Sequence, residues 1–201
     1  MTVATPNKYI SQLIYGRSGA GKTWYLRAAA EHVGWKRTLW IHTDRRINSF
    51  EPHIYTTQEP WGVMYMSKAS LEDITKLLLP LNLAARKGEY KYDLVCLDGI
   101  SETDLVNMAK IEDASGPKRD GRQMWGDQFD DNIRMNWSLT AGSRGDPQEG
   151  LGAHVLVTAR VKEVADHIIE GETILRPSVR GQFGEIVDHY FDLVLYVESR
   201  S

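Results

Sequence analysis

The sequence predicts an α/β protein in which a mainly parallel β-sheet is covered by α-helices on both faces, a three-layer αβα arrangement. Three observations predict it. Segments with strand character alternate with segments of helical character along the chain. The segment Tyr92–Leu97 is almost continuously apolar, as expected of a central strand buried on both faces. A glycine-rich turn, Gly16–Gly21, joins the first predicted strand directly to the first predicted helix.

The first quarter of the chain predicts a strand, the glycine-rich turn, a helix and a second strand. Tyr9–Tyr15 mixes apolar and polar residues in the manner of a strand. Lys22–Val33 is rich in Ala and Leu, which favour helix, and Gly34 can end that helix in a left-handed conformation. The second strand is Thr38–His42.

The next part of the chain gives two weak strand signals and a capped helix. His53–Thr57 and Val63–Ser67 have strand character, but nearby proline and glycine restrict them to sheet edges. Ser70 and Asp73 form a capping-box pattern for a helix that continues through Leu78 and can pass the proline that follows.

The second half of the chain begins, after the apolar strand, with a helix over Glu102–Ile111 capped by Ser101. Glycine, proline and alternating charge then predict a mobile surface loop over Asp113–Gln123. Met124–Leu139 predicts a helix with four large apolar side chains in i, i+4 steps, which we interpret as core anchors. These four are Trp125, Phe129, Ile133 and Trp137.

The last part of the chain returns to strands. It contains a predicted loop over Gly142–Gly152, a strand over His154–Thr158, a hairpin or loop over Val161–Thr173, and a final strand over Phe191–Val197. We expect one domain that spans residues 1–201, because this length buries a sufficient core.

Composition restricts the class of protein. The 24 Lys and Arg residues against 27 Asp and Glu give a net charge of -3, so any polyanion must be held by local basic patches. The single cysteine, Cys96, cannot form an internal disulfide and suits a reducing cytoplasm. The N-terminus lacks the pattern of a secretory signal, and no apolar stretch approaches the roughly 20 residues that cross a bilayer. We expect a cytoplasmic protein without a membrane segment.

The most specific motif is GRSGAGKT, a complete G-x-x-x-x-G-K-[ST] match between a predicted strand and a predicted helix. Glycines let consecutive backbone N–H groups point at phosphate oxygens, Lys22 neutralises phosphate charge, and the Thr23 hydroxyl suits Mg²⁺. The absence of an N-K-x-D motif favours ATP over GTP. The predicted nucleotide-binding residues are Gly16, Arg17, Ser18, Gly19, Ala20, Gly21, Lys22, Thr23 and Trp24.

Polar residues after other predicted strands complete the candidate site, because parallel strands end along one sheet edge. Asp98 is predicted to hold Mg²⁺ with Thr23, the alternative being a helix-capping aspartate. Asp44 is a candidate for orienting or deprotonating the attacking water, or else a loop aspartate. Thr158 is a candidate γ-phosphate sensor or a simple strand end.

Two arginines near the last strand, Arg176 and Arg180, are either an arginine finger for a neighbouring subunit or ordinary surface residues. The six histidines form no metal-ligand spacing, and we interpret them as structural.

The order of these motifs resembles the RecA-type P-loop ATPase core. More narrowly, it is similar to small phage-encoded nucleotide-binding proteins related to RecA, which include single-strand annealing recombination proteins. The stretches that carry the resemblance are GRSGAGKT, LVCLDGIS, MWGDQFDDNIR, HVLVTAR and RPSVRGQFGEIVDHYFDLVLYV.

The resemblance implies an ATPase that binds single-stranded DNA as a homo-oligomer in the host cell cytoplasm, with a single-strand binding protein as a candidate partner. It implies DNA contacts from two loops, with Lys118, Arg119 and Arg122 in one and Lys162 in the other. Two features depart from RecA: Asp44 stands where RecA has a glutamate, and the RecA glutamine that signals to DNA has no counterpart near Thr158. We also expect no N-terminal polymerisation domain of the RecA kind.

Two other classes remain open. A small-molecule P-loop kinase would use the segment Asp44-Arg45-Arg46 to hold its acceptor, but no arginine-rich lid helix is present. A regulatory or assembly ATPase would act on protein partners. An AAA+ version of it is disfavoured, because no helical lid follows the final strand.

Overall fold

A computed structural model of the chain describes residues 9–43, 62–89, 92–115, 121–140, 152–165 and 172–199. The strands in these ranges are β1 Ser11–Gly16, β2 Thr38–His42, β3 Gly62–Tyr65, β4 Leu94–Asp98, β5 His154–Ala165, β6 Thr173–Pro177 and β7 Leu193–Val197. The α-helices are α1 Lys22–Val33, α2 Leu71–Arg86, α3 Ile100–Ser115, α4 Gly121–Thr140 and α5 Phe183–Ile186, with short 3-10 helices at Trp35–Arg37 and Val187–Tyr190.

The strands form one sheet in the order β3-β2-β4-β5-β1-β7, and every neighbouring pair in that order is parallel. The strand β6 pairs antiparallel with β5 outside this order. All five residues of β4 are buried, which confirms the central strand predicted from its apolar run. The mainly parallel sheet predicted from the alternation of elements is therefore confirmed.

Helices cover both faces of the sheet. Alternate residues of β2 and β4, for example Ile41 and Leu97, enter the larger core with the helices that follow them, α2 to α5. Their neighbours Trp40 and Cys96 enter a smaller core under α1. Burial raises the pKa of the Cys96 thiol well above its usual range, so this thiol stays protonated and apolar in character.

The helix α2 begins at the predicted capping box and passes through Pro80 to Arg86. The Ser70 backbone N–H donates to Asp73 Oδ2 at 2.8 Å, and the Asp73 N–H donates to Ser70 Oγ at 3.3 Å. Such reciprocal bonds satisfy backbone donors that a helix start leaves open.

The loop predicted over Asp113–Gln123 is wrong at both ends, because α3 continues to Ser115 and α4 begins at Gly121. Hydrogen bonds between buried polar side chains join the two helices, and no local sequence pattern predicts them. Asp104 accepts hydrogen bonds from the side chains of Gln128 and Asn132. Burial raises the pKa of Asp104, while these hydrogen bonds oppose the rise.

The side chain of Trp125 is 44% exposed, so its interpretation as a core anchor is wrong. Phe129 and Ile133 do pack against the core, as predicted. The side chain of Trp137 lies outside the described part of the chain.

The strand β5 is more than twice as long as predicted. Its second half pairs with β6 from Val161 opposite Pro177 to Ala165 opposite Thr173, which resolves the choice between hairpin and loop. We call residues 161–165 and 173–177 the β5–β6 arm. The strand predicted at His53–Thr57 lies outside the described residues, whereas β3 confirms the neighbouring edge strand.

Within the described ranges, no helix is both long enough and apolar enough to span a membrane.

Candidate nucleotide site

A cavity of about 340 Å³ opens at the carboxyl edge of the sheet. Its lining comes from the glycine-rich turn, the start of α1, the ends of β2, β4 and β5, and the first turn of α3. Six of the nine predicted nucleotide-binding positions line it. These are Ser18, Gly19, Gly21, Lys22, Thr23 and Trp24.

The turn adopts its shape because of its glycines. Gly19 and Gly21 have φ angles of 80° and 91°, a region that is accessible to glycine at little cost. Gly21 immediately precedes α1, so the N-terminus of that helix faces the cavity. Lys22 Nζ lies 2.8 Å from the carbonyl oxygens of both Gly16 and Arg17. A full positive charge is therefore held at the mouth of the turn.

Gly16 is required for a different reason, the close approach of β7. A Cβ atom added to it would lie 2.2 Å from the carbonyl oxygen of Val197. We expect Gly16→Ala to lower the free energy of unfolding by about 1–3 kcal/mol, measured by urea denaturation, because backbone must move. Gly126→Ala is the matched control, since its added methyl group meets nothing within 4 Å on α4. Equal stability of the two variants would contradict this account.

Asp98 is the centre of the hydrogen bonds in the cavity. Its Oδ2 accepts from Thr23 Oγ1 at 3.0 Å and lies 3.1 Å from His42 Nδ1, while its Oδ1 accepts from Thr158 Oγ1 at 2.6 Å. The side chains of His42, Asp98 and Thr158 are buried. The structure thus brings together Lys22, Thr23, Asp98 and Thr158, four residues chosen from sequence alone.

The sequence alone favours a structural role for His42, yet this residue lines the cavity and contacts Asp98. The signal that points to it is its position, because β2 neighbours β4 and His42 stands opposite Asp98 in the register. Thr43 fixes the backbone of Asp98, since the Thr43 N–H and Oγ1 both donate to the Asp98 carbonyl oxygen at 3.1 Å.

The oxygen donors in the cavity fit a magnesium ion. Mg²⁺ prefers hard oxygen ligands and retains several waters, so one hydroxyl and one carboxylate at the edge of an open cavity suit it. Thr23 Oγ1 and Asp98 Oδ2 already lie within hydrogen-bond distance of one another. These two residues would hold the ion. When bound with ATP, Mg²⁺ neutralises charge on the terminal phosphates.

Four of the other predicted site residues are not described by the structure. Asp44, Lys118 and Arg119 fall outside the described residues, and the side chain of Arg122, in the first turn of α4, is not described either.

The other three basic residues predicted to have a role lie in the β5–β6 arm or shortly after it. Lys162 lies in a strand and donates from Nζ to the Val179 carbonyl oxygen at 2.7 Å, and burial lowers the pKa of this amine. Arg176 Nη1 donates to the Glu185 carbonyl oxygen at 3.4 Å, and the Arg180 N–H donates to Asp104 Oδ2 at 3.0 Å. None of these three residues lines the nucleotide cavity.

Residues 8–201 match the model of a family described as an AAA domain. The chain belongs to this family. It is a P-loop ATPase, and the expectation that set an AAA-type protein aside is corrected by this match. A search of curated proteins gives no significant sequence match.

Solved structures of similar fold include ATPases of bacterial secretion. One is an ATPase from the type III secretion system of pathogenic bacteria, with 11% identity, a TM-score of 0.56, and coverage of 94% of this chain and 52% of that chain. Another is the assembled ATPase EscN from the enteropathogenic E. coli type III secretion system, with 13% identity, a TM-score of 0.52, and coverage of 94% and 42%. The AAA domain protein thus spans about half the length of these neighbours, and at such identities the likeness shows the RecA-like fold alone.

Proposed function

We propose that this AAA domain protein couples ATP hydrolysis to the binding of single-stranded DNA, in phage recombination or strand annealing in the cytoplasm. One observation carries the proposal. The two elements that leave the nucleotide cavity lead directly to the two segments with the candidate DNA-binding residues. The helix α3 starts two residues after Asp98 and ends at Ser115, just before the segment with Lys118 and Arg119. The strand β5 continues from Thr158 into the β5–β6 arm.

Such continuity couples the two events physically. Asp98 and Thr158 contact one another in the cavity. A nucleotide and a metal ion bound there would therefore act on the start of α3 and on β5 together. Rigid elements with an end in the site can transmit that change to their far ends.

The charge distribution limits how the DNA is held. A net charge of -3 gives no general attraction for a polyanion, so affinity depends on a few residues in each subunit. Lys162 can contribute to DNA binding only if its amine breaks its hydrogen bond to the Val179 carbonyl oxygen. Weak contacts per subunit gain strength when several subunits bind one strand, and we therefore include a homo-oligomer in the proposal.

A triple replacement tests the DNA contact. We expect replacement of Lys118, Arg119 and Arg122 with serine to weaken binding of single-stranded DNA and to lower the salt slope by about 2, since each phosphate contact contributes about 0.7. Affinity is measured over a salt series with ATP and Mg²⁺ present, together with stimulation of ATP turnover by DNA.

A control triple replaces Lys36, Lys76 and Lys87, which are exposed lysines outside both candidate DNA-binding segments, with serine. Both triple variants lose the same charge. If residues 118–122 contact DNA specifically, only the first variant should change the salt slope of DNA binding. Equal slopes for the two variants and the unmodified protein would contradict a DNA contact at residues 118–122.

A second candidate is an assembly ATPase that acts on protein partners. The observation that favours it is the exposed apolar edge strand β7, whose Leu193, Val194 and Tyr196 are exposed next to the glycine-rich turn. Apolar edge strands of this kind are common sites for pairing with another chain. Turnover that DNA leaves unchanged would favour this candidate.

A further inference from the structure

The cavity contains an arginine that has no part in the site described so far. Arg160 lines the cavity at the point where β5 leaves the parallel sheet, beside the start of the glycine-rich turn. It follows Thr158 by two residues, and Thr158 contacts the carboxylate of the candidate metal site. A guanidinium group in this place faces the space that nucleotide phosphates would occupy.

The backbone of Arg160 is fixed from three sides. It stands opposite Gly16 in the β1–β5 register, its N–H donates to Ser101 Oγ at 2.9 Å, and its carbonyl oxygen accepts from the Ser178 N–H at 2.6 Å. Its side chain, by contrast, is 55% exposed. Any movement of Arg160 in response to nucleotide is therefore a movement of its side chain about a fixed base.

In the structure that side chain is paired with a carboxylate of the same cavity. Arg160 Nη2 donates to Glu102 Oε2 at 2.9 Å, and Glu102 belongs to the first turn of α3. Ion pairs with this degree of exposure are weak, because water screens the attraction. Triphosphate oxygens carry more charge and match the planar fork of a guanidinium, so they compete well for the same donor.

We propose that Arg160 binds the terminal phosphate of ATP and that Glu102 holds its side chain away until ATP arrives. Lys22 and the amides of the glycine-rich turn serve the phosphates on the α1 side of the cavity. Arg160 enters the cavity from the end of β5, two residues after Thr158, and as the donor to the terminal phosphate it distinguishes ATP from ADP. The exchange of partners removes one link between α3 and β5, while the hydrogen bond from the Arg160 N–H to Ser101 Oγ remains. This inference concerns the ATP site alone and holds whether or not DNA is the partner.

Binding measurements test the proposal without reference to turnover. The dissociation constants of Mg²⁺-ADP and of a Mg²⁺-bound non-hydrolysable ATP analogue are measured by calorimetry for each variant. Arg160→Ala is expected to weaken binding of the analogue by about tenfold or more and binding of ADP by less than about twofold. Arg160→Lys, which keeps the charge and loses the fork, should fall between. Retained ADP binding shows that these variants are folded.

The role of Glu102 is tested in the opposite direction. Glu102→Gln should bind the analogue about two- to fivefold more tightly, the range set by an exposed ion pair, and this gain should vanish in the Arg160→Ala background. Control variants are Arg37→Ala and Glu72→Gln, which break exposed ion pairs outside the cavity.

Each outcome decides a part of the proposal. Equal losses of affinity for ADP and for the analogue in Arg160→Ala would overturn terminal-phosphate binding by Arg160, because they would indicate a general effect on the cavity. An unchanged or weaker analogue affinity in Glu102→Gln, or a gain that persists without Arg160, would overturn the restraint by Glu102.

Discussion

Replacing Lys22 with alanine is expected to abolish measurable ATP turnover and to weaken ATP binding by at least about tenfold. The amine of Lys22 is held at the mouth of the glycine-rich turn by the Gly16 and Arg17 carbonyl oxygens. Backbone N–H groups there donate hydrogen bonds to phosphate, but they cannot supply a full charge. Phosphate release and calorimetric ATP binding measure the two effects.

The matched control for this variant is Lys36→Ala, which removes an exposed lysine of the 3-10 helix at Trp35–Arg37. Both variants are expected to melt at about the temperature of the parent, since neither lysine is part of a core. ATP affinity and turnover equal to those of the parent in purified Lys22→Ala would remove the glycine-rich turn from the phosphate site.

Elements with a local signal were predicted closely. The bounds of α1 and β2 agree residue for residue with the structure, because Gly21 and Gly34 mark the ends of the helix and an apolar run marks the strand. The capping box at Ser70 likewise predicted the start of α2. In each case the information lies within a few residues of the boundary.

Elements whose limits depend on distant partners were not predicted. The helices α3 and α4 are held together by hydrogen bonds between Asp104 and the side chains of Gln128 and Asn132, more than 20 residues away, which no local pattern indicates. The second half of β5 exists because β6 pairs with it. Composition over Asp113–Gln123 favours a loop, whereas the structure extends α3 to Ser115 and begins α4 at Gly121.

The same distinction applies to the site. GRSGAGKT is local, and the rule that parallel strands end at one edge was enough to select Asp98 and Thr158. His42 required the strand order, since only the neighbouring position of β2 and β4 puts it beside Asp98. Arg160 follows Thr158 at the end of the same predicted strand, but its pairing with Glu102, 58 positions away, has no signal in the sequence.

Asp98→Asn is expected to reduce ATP turnover about 100-fold or more and to raise the Mg²⁺ concentration for half-maximal activity at least about tenfold. The substitution conserves volume and leaves an acceptor for Thr158 Oγ1, but it removes the charge that a divalent ion needs. It also turns one oxygen shared by Thr23 and His42 into an amide nitrogen.

The fold should tolerate this change, because a buried carboxylate carries a desolvation penalty that an amide does not. Melting without nucleotide is therefore expected at or above the temperature of the parent, which separates a metal effect from unfolding. Asp93→Asn is the control, since Asp93 precedes β4 and pairs with Arg37 away from the cavity. A Mg²⁺ titration of Asp98→Asn that coincides with those of the parent and the control would return Asp98 to a purely structural role, in which its carboxylate only joins the ends of β2, β4 and β5.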